Sequence, residues 1–184
     1  RQMCIRDRKR GLLNYRTTAD CMPHLLDEKN VTMLTAHGVY SRAELESRCE
    51  IMLENYVKTV TIEANTMVSM ARRQIAPAVE SYTMKLMEGI AQKKALDMGL
   101  DSGYETGLVK ELSTLTGEIA RRADLLEEAV SALSGTVEEQ SCAVRDAILG
   151  RMEELRKVCD RAETITAKEF WPYPSYGDIL FSVR

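Results

Sequence analysis

Histidine and phenylalanine are scarce in this chain of 184 residues, with two of each. The two histidines, His24 and His37, stand far apart. Neither has a second ligand at helical spacing or a thiol beside it, so no histidine-centred metal or acid–base constellation can be assembled. His37, beside Gly38, reads as a group favouring a helix C-terminus. A Gly-rich phosphate loop is missing as well: Gly99, Gly103 and Gly107 are too few, and no Lys-Ser/Thr follows them. The five cysteines (Cys4, Cys21, Cys49, Cys142, Cys159) are odd in number and form no C-x-x-C pair. They read as reduced thiols that serve as small core or surface residues, with a cytoplasmic location expected. No apolar run approaches the length of a membrane span, no secretory signal is visible, and no stretch alternates with period two. A net charge of −3 leaves no electrostatic footprint for DNA or RNA.

What remains is a helical pattern with written boundaries. Ser41 with Glu44, Ser102 with Glu105 and Thr136 with Glu139 are three capping boxes, in which hydroxyl and carboxylate each satisfy an orphan amide. Tyr40 and Leu45 add a hydrophobic staple to the first. Gly38 suits the left-handed stop of a short helix over 30–37. Another short helix is expected over 18–27, with its register disturbed by Pro23. From Ser41 to about Leu96 apolar residues recur at helical spacing, a run of about 80 Å if continuous. Pro77 removes the bond to the carbonyl of Arg73, so a kink is expected there. Helices over 103–134 and 137–168 follow, both with 3–4 alternation.

Those two helices have equal length, and Gly135 and Thr136 alone separate them, which makes an antiparallel hairpin. The expected fold class is all-α: a long Pro-kinked helix plus this hairpin form a three-helix bundle over 41–168. Residues 9–40 supply short helices joining to a catalytic domain outside this chain. At equal rise per residue the hairpin reaches back only to about Ala64. The first half of the long helix, with Leu45, Met52, Leu53, Tyr56, Val60 and Ile62, is then left without a partner. An apolar stripe of that length seldom faces water in a soluble monomer, so Leu45, Met52, Tyr56 and Val60 are candidate contact residues.

Half of the ten aromatic residues fall in the last fifteen positions, a segment containing Phe170, Trp171, Tyr173, Tyr176 and Phe181. Aromatic area favours docking, and Pro172 and Pro174 impose extended geometry. Residues 169–184 are therefore expected to form an extended docking tail, with Trp171, Pro172, Pro174, Tyr176 and Phe181 as contact residues. Other features have plainer readings. Glu63 belongs to the polar face more readily than to a functional buried site. Arg72-Arg73, Lys93-Lys94 and Arg121-Arg122 are interleaved with acids and read as solvated faces. Met67, Met70, Met84 and Met87 follow the core period. Residues 1–8 show no period and look like translated adapter sequence or a disordered arm, so they carry no fold reasoning.

The end of the chain, Lys168-Glu169-Phe170-Trp171-Pro172-Tyr173-Pro174-Ser175-Tyr176-Gly177-Asp178-Ile179-Leu180-Phe181, resembles the C-terminal signature of type III glutamine synthetases. Gly38-Val39-Tyr40, Glu44-Leu45, Ser47-Arg48, Glu50-Ile51 and Leu53-Glu54-Asn55-Tyr56 are similar to the same family, as are Ile62-Glu63-Ala64, Thr66-Met67 and Ile75-Ala76-Pro77-Ala78-Val79. The departures are Cys49, where an aromatic is usual, and Asn65, where an aliphatic is. The resemblance implies the C-terminal helical region of an enzyme that joins glutamate and ammonia through a γ-glutamyl phosphate. ATP and Mg are implied for the full-length enzyme, held by an upstream domain, and none for this region. It also implies two partners, the chain's own catalytic domain and neighbouring subunits of a homo-oligomer, and neither nucleic acid nor membrane. No catalytic, cofactor or metal residue is carried over. The expected function is therefore scaffolding and assembly, inactive alone, with a free-standing helical interaction module as the alternative.

Overall fold

A computed structural model describes residues 9–96 and 99–181. The expected leader at 1–8, Cys4, and the first residues of the 97–102 link lie outside the described residues. Among the described residues every regular element is helical, so the chain is all-α. Two compact units divide it. The first comprises the described residues up to Ile62 together with Ala132–Leu149, and the second comprises Glu63–Ser131 and the described residues from Gly150 onward.

In the first unit the short N-terminal helix is interrupted by its proline. Helix α1 (Thr18–Cys21) gives way to a 3-10 turn over Met22–Leu26, with Pro23 in its first turn, where the missing N–H costs no bond. Helix α2 (Glu28–Ala36) ends on His37, and Gly38 follows at φ 62°, the left-handed stop expected of it. Helix α3 (Arg42–Met70) opens on the expected box: Ser41 N–H donates to Glu44 at 2.7 Å, and Glu44 N–H donates to Ser41 Oγ at 3.3 Å. The Thr136–Glu139 box is likewise complete at the start of α6 (Val137–Ala143). The third expected box is wired differently. Lys93 Nζ takes the Glu105 carboxylate, and Asp101 Oδ1 accepts from Gly103 N–H.

Two π turns replace the simple geometry expected of the long helices. Ala71–Ile75 widens by one residue per turn ahead of α4 (Ala76–Ala95), and the Ala76 N–H reaches Ala71 O. Pro77 explains it: a proline ring clashes with the carbonyl four residues back, and an i→i−5 turn moves that carbonyl aside. The second, Val144–Ile148, lies between α6 and α7 (Leu149–Ile165) with no proline in it. The expected helices also stop early, α5 (Gly103–Ser131) three residues short and α7 at Ile165.

The second unit's core is a set of fully buried residues on facing stripes. Leu112, Ile119, Ala123 and Leu126 of α5 pack with Ala64, Val68, Ala71, Ile75 and Val79 of the long helical run and with Leu155 and Ala162 of α7. Ion pairs rim this core. Arg72 bridges Asp124 at 2.6 Å and Glu127 at 2.7 Å, Arg161 meets Glu111, and Arg122 meets Glu154 at 3.4 Å. The methionine reading needs correction: Met84 and Met87 are half exposed, because Val79 and Thr83 take the buried positions of α4.

Candidate interaction surfaces

The first half of α3 carries two apolar faces. Leu45, Cys49, Leu53, Val57 and Val60 recur at spacings of four and three and are all buried. The chain itself covers that face. Cys49 Sγ donates to Met22 O at 3.3 Å, and Gly135, Thr136 and Val137 share a cavity with Leu26, Cys49 and Leu53. The expectation that the hairpin stops near Ala64 is corrected here. Helix α5 ends at Ser131, and Ala132–Leu149 belongs to the same compact unit as the first half of α3.

Leu45 and Val60, expected as contact residues for something outside the chain, therefore belong to its own core, at 0% and 6% exposure. Tyr56 is half buried, and its hydroxyl lies shielded from solvent with no hydrogen-bond partner. Burial, followed by the charge of Asp20, raises its pKa. Met52 does face outward, at 49% exposure, and beside it stands Ile51 at 50%, which the stripe as first drawn left out. One residue step turns a helix by about 100°, so Met52 and Leu53 never shared a face. Ile51 and Met52 line a shallow groove with Tyr40, Ala43 and Ser47, where the Arg48 guanidinium sits 4.5 Å from the Tyr40 ring centroid.

The tail divides at Pro174. Before it, Phe170 stacks obliquely on Tyr82 with ring centroids 5.3 Å apart, and Tyr173 OH donates to the Gln74 side-chain oxygen. Trp171 is half buried, its ring 6.3 Å from that of Tyr173. After it, a short helix α8 (Tyr176–Leu180) forms where an extended segment was expected, because Ser175 and Asp178 make a capping box. Lys168 Nζ clamps Asp178 at 2.6 Å, and this bond, with those from Ser175, brings the Asp178 carboxyl down to about 2. Tyr176 and Phe181 project at 84% exposure, and Pro172 and Pro174 are exposed. Among the described residues, apolar side chains stand open at Ile51–Met52 and at Tyr176–Phe181, and others at Leu12–Leu13, Leu96, Leu100 and Tyr104.

Catalytic machinery is a separate question. Among the described residues no three His, Cys, Asp or Glu side chains converge to hold a metal ion. His24 stacks on Tyr15 at 4.4 Å and its Nδ1 lies 3.1 Å from Asp27, while Glu63 is exposed on the polar face. No helix among the described residues is long and apolar enough to cross a membrane.

Residues 5–94 match the family model described as the glutamine synthetase C-terminal domain. A glutamine synthetase of Butyrivibrio fibrisolvens is 35% identical over 178 residues, which is 96% of this chain and 25% of that protein. A type-3 glutamine synthetase of Dictyostelium discoideum is 27% identical over 183 residues, 95% of this chain and 24% of that protein. A glutamine synthetase of Bacteroides fragilis (strain YCH46) is 26% identical over 180 residues, again 95% of this chain and 25% of that protein. The chain corresponds to the C-terminal region of the glutamine synthetases, a type-3 enzyme among them, and spans about a quarter of these relatives' length.

Proposed function

We propose that this chain is a scaffolding and assembly portion of an ATP-dependent glutamate–ammonia ligase acting in nitrogen assimilation in the cytoplasm, inactive by itself. The observation that carries this reading is the pairing of similarity to glutamine synthetases along nearly the whole chain, 35% identity over 96% of it for one relative, with apolar surface that the chain does not cover at Ile51, Met52, Tyr176 and Phe181. In this reading the second unit is a three-helix bundle of the α3–α4 run, α5 and α7, with 169–184 as a docking tail. The bundle is a stiff support, since its core is fully buried and its rim is tied by ion pairs. The open faces then contact the ligase's catalytic domain and neighbouring subunits of a homo-oligomer. ATP and Mg belong to the catalytic domain.

Two measurements on one preparation test the proposal. The purified chain should show no γ-glutamyl transfer. Joined to the catalytic polypeptide of its own ligase, it should support an assembled, active enzyme, and an Ile51→Lys/Met52→Lys variant should yield smaller particles. Turnover by the chain alone, or full assembly of that variant, would overturn it.

A further inference from the structure

The tail and two helical segments of the second unit line a half-open cavity of ≈ 250 Å³. Met67, Met70 and Ile75 line it from the α3–α4 run, Leu155 and Cys159 from α7, and Trp171 and Tyr173 from the tail. Around them stand one cation, Arg156, and two carboxylates, Asp160 and Glu163. We propose that this cavity binds a small organic cation with an apolar body, of the arylalkyl-ammonium class.

Size, lining and charge each support that ligand class. An apolar cavity of about 150 Å³ holds a benzene ring, so this one has room for a ring and a short alkyl chain. Thioether side chains adapt to irregular shapes and favour aromatic contact, which suits Met67 and Met70 to a ring. Two aromatic rings meeting at 72° bring π faces and edges into one lining, and π faces attract cations. Arg156 Nε already lies 3.5 Å from Asp160, so Glu163 leaves the lining one negative charge in excess. An anion would meet that charge unfavourably. The Cys159 thiol, pushed up to about 11 by burial and by Asp160, stays neutral and adds no competing anion at neutral pH.

Occupancy would also act on the tail. Trp171 and Tyr173 belong to it, and its other ties are the Tyr173–Gln74 hydrogen bond and the Phe170–Tyr82 contact. A ligand touching both rings adds a third tie, so binding should hold the tail down. This site is independent of the assembly reading above and stands or falls without it.

The test uses the full chain with benzylammonium and its neutral counterpart benzyl alcohol as probes, read by emission of Trp171, the chain's single tryptophan. Benzylammonium should change that emission saturably and bind at least about threefold more tightly than the alcohol, as a cation–π and carboxylate contribution requires. Glu163→Gln, an exposed substitution, should narrow the difference while leaving helicity intact. Intermolecular NOEs should connect the probe's ring to the Met67 and Met70 methyls. Equal affinity for the two probes, an unchanged preference in Glu163→Gln, or NOEs to other methyls only would each overturn the proposal.

Discussion

Arg145 Nη1 donates to Asp20 Oδ1 at 2.8 Å across 125 positions of sequence. It ties α1 to the π turn at Val144–Ile148, and the same guanidinium grips Asp146 through Nε at 2.7 Å. The Asp20 carboxylate also accepts from Thr17 Oγ1 at 2.9 Å, and Thr17 first, then Arg145, hold its pKa below the usual value. Because the folded value is depressed, the pairing stabilises above the unfolded pKa and is lost as pH falls through the folded one. Arg145→Met should therefore release α1: amide exchange of Thr18–Cys21 should speed up at neutral pH, and acid should add little more. Unchanged protection in this variant would contradict the role given to the pair.

The second unit should be far more sensitive in its core than on its surface. Leu112 and Ile119 are fully buried, so truncating either to alanine should cost about 2–5 kcal/mol in denaturant unfolding. Met84→Ala, at a half-exposed position, should lie within about 0.5 kcal/mol of the parent. Similar losses at Met84 and Leu112 would mean that the core lies elsewhere.

The hairpin turn depends on one glycine. Gly135 has φ 90°, and a Cβ there would strike the Glu139 carboxylate that completes the Thr136 capping box. Gly135→Ala should cost about 1–2 kcal/mol from backbone strain, with the cap's loss added. The effect is readable as a lowered urea midpoint at unchanged m-value. A neutral substitution would show that the box tolerates displacement.

The tail should respond to acid in two stages. Asp178 titrates at about 2 against an ordinary 3.8. Its clamp on Lys168 is fully present above about 4 and is lost between there and about 2, so α8 should fray over that interval. Trp171 and Tyr173, held by Gln74 and Phe170–Tyr82 contacts that do not involve this carboxylate, should stay docked until the unit unfolds. NMR titration of the Asp178 carboxyl and the emission of Trp171 separate the stages. Tryptophan emission should be blue-shifted in the folded chain and move red on unfolding. Simultaneous loss of both signals would merge the two halves of the tail into one element.

The helices were legible because their signals are local. Ser41–Glu44 and Thr136–Glu139 set their caps, Gly38 took the left-handed stop, Gly135 marked the link between two helices, and apolar spacing of three and four marked the interiors. Pro77 announced a disturbance, though a π turn absorbed it. The turn at Val144–Ile148 carries no comparable signal, since Arg145 gains its partner only when Asp20 folds beside it. Ser175–Asp178 is a box of the same local kind, with aspartate at the position where glutamate is commoner. The candidate surface was harder to read. Spacing groups residues by face but does not say which face another part of the chain covers, so it does not separate the buried Leu45 and Val60 from the outward-facing Met52. Ile51 was missed for the same reason.

Under the proposed assembly role the apolar side chains at Ile51–Met52 and Tyr176–Phe181 are covered by other protein, and sedimentation velocity of the purified chain is the decisive measurement. The account predicts concentration-dependent association that Ile51→Lys/Met52→Lys and Tyr176→Ser/Phe181→Ser each weaken, with helicity preserved. A parent chain that stays monomeric across the concentration range, indistinguishable from both variants, would contradict it.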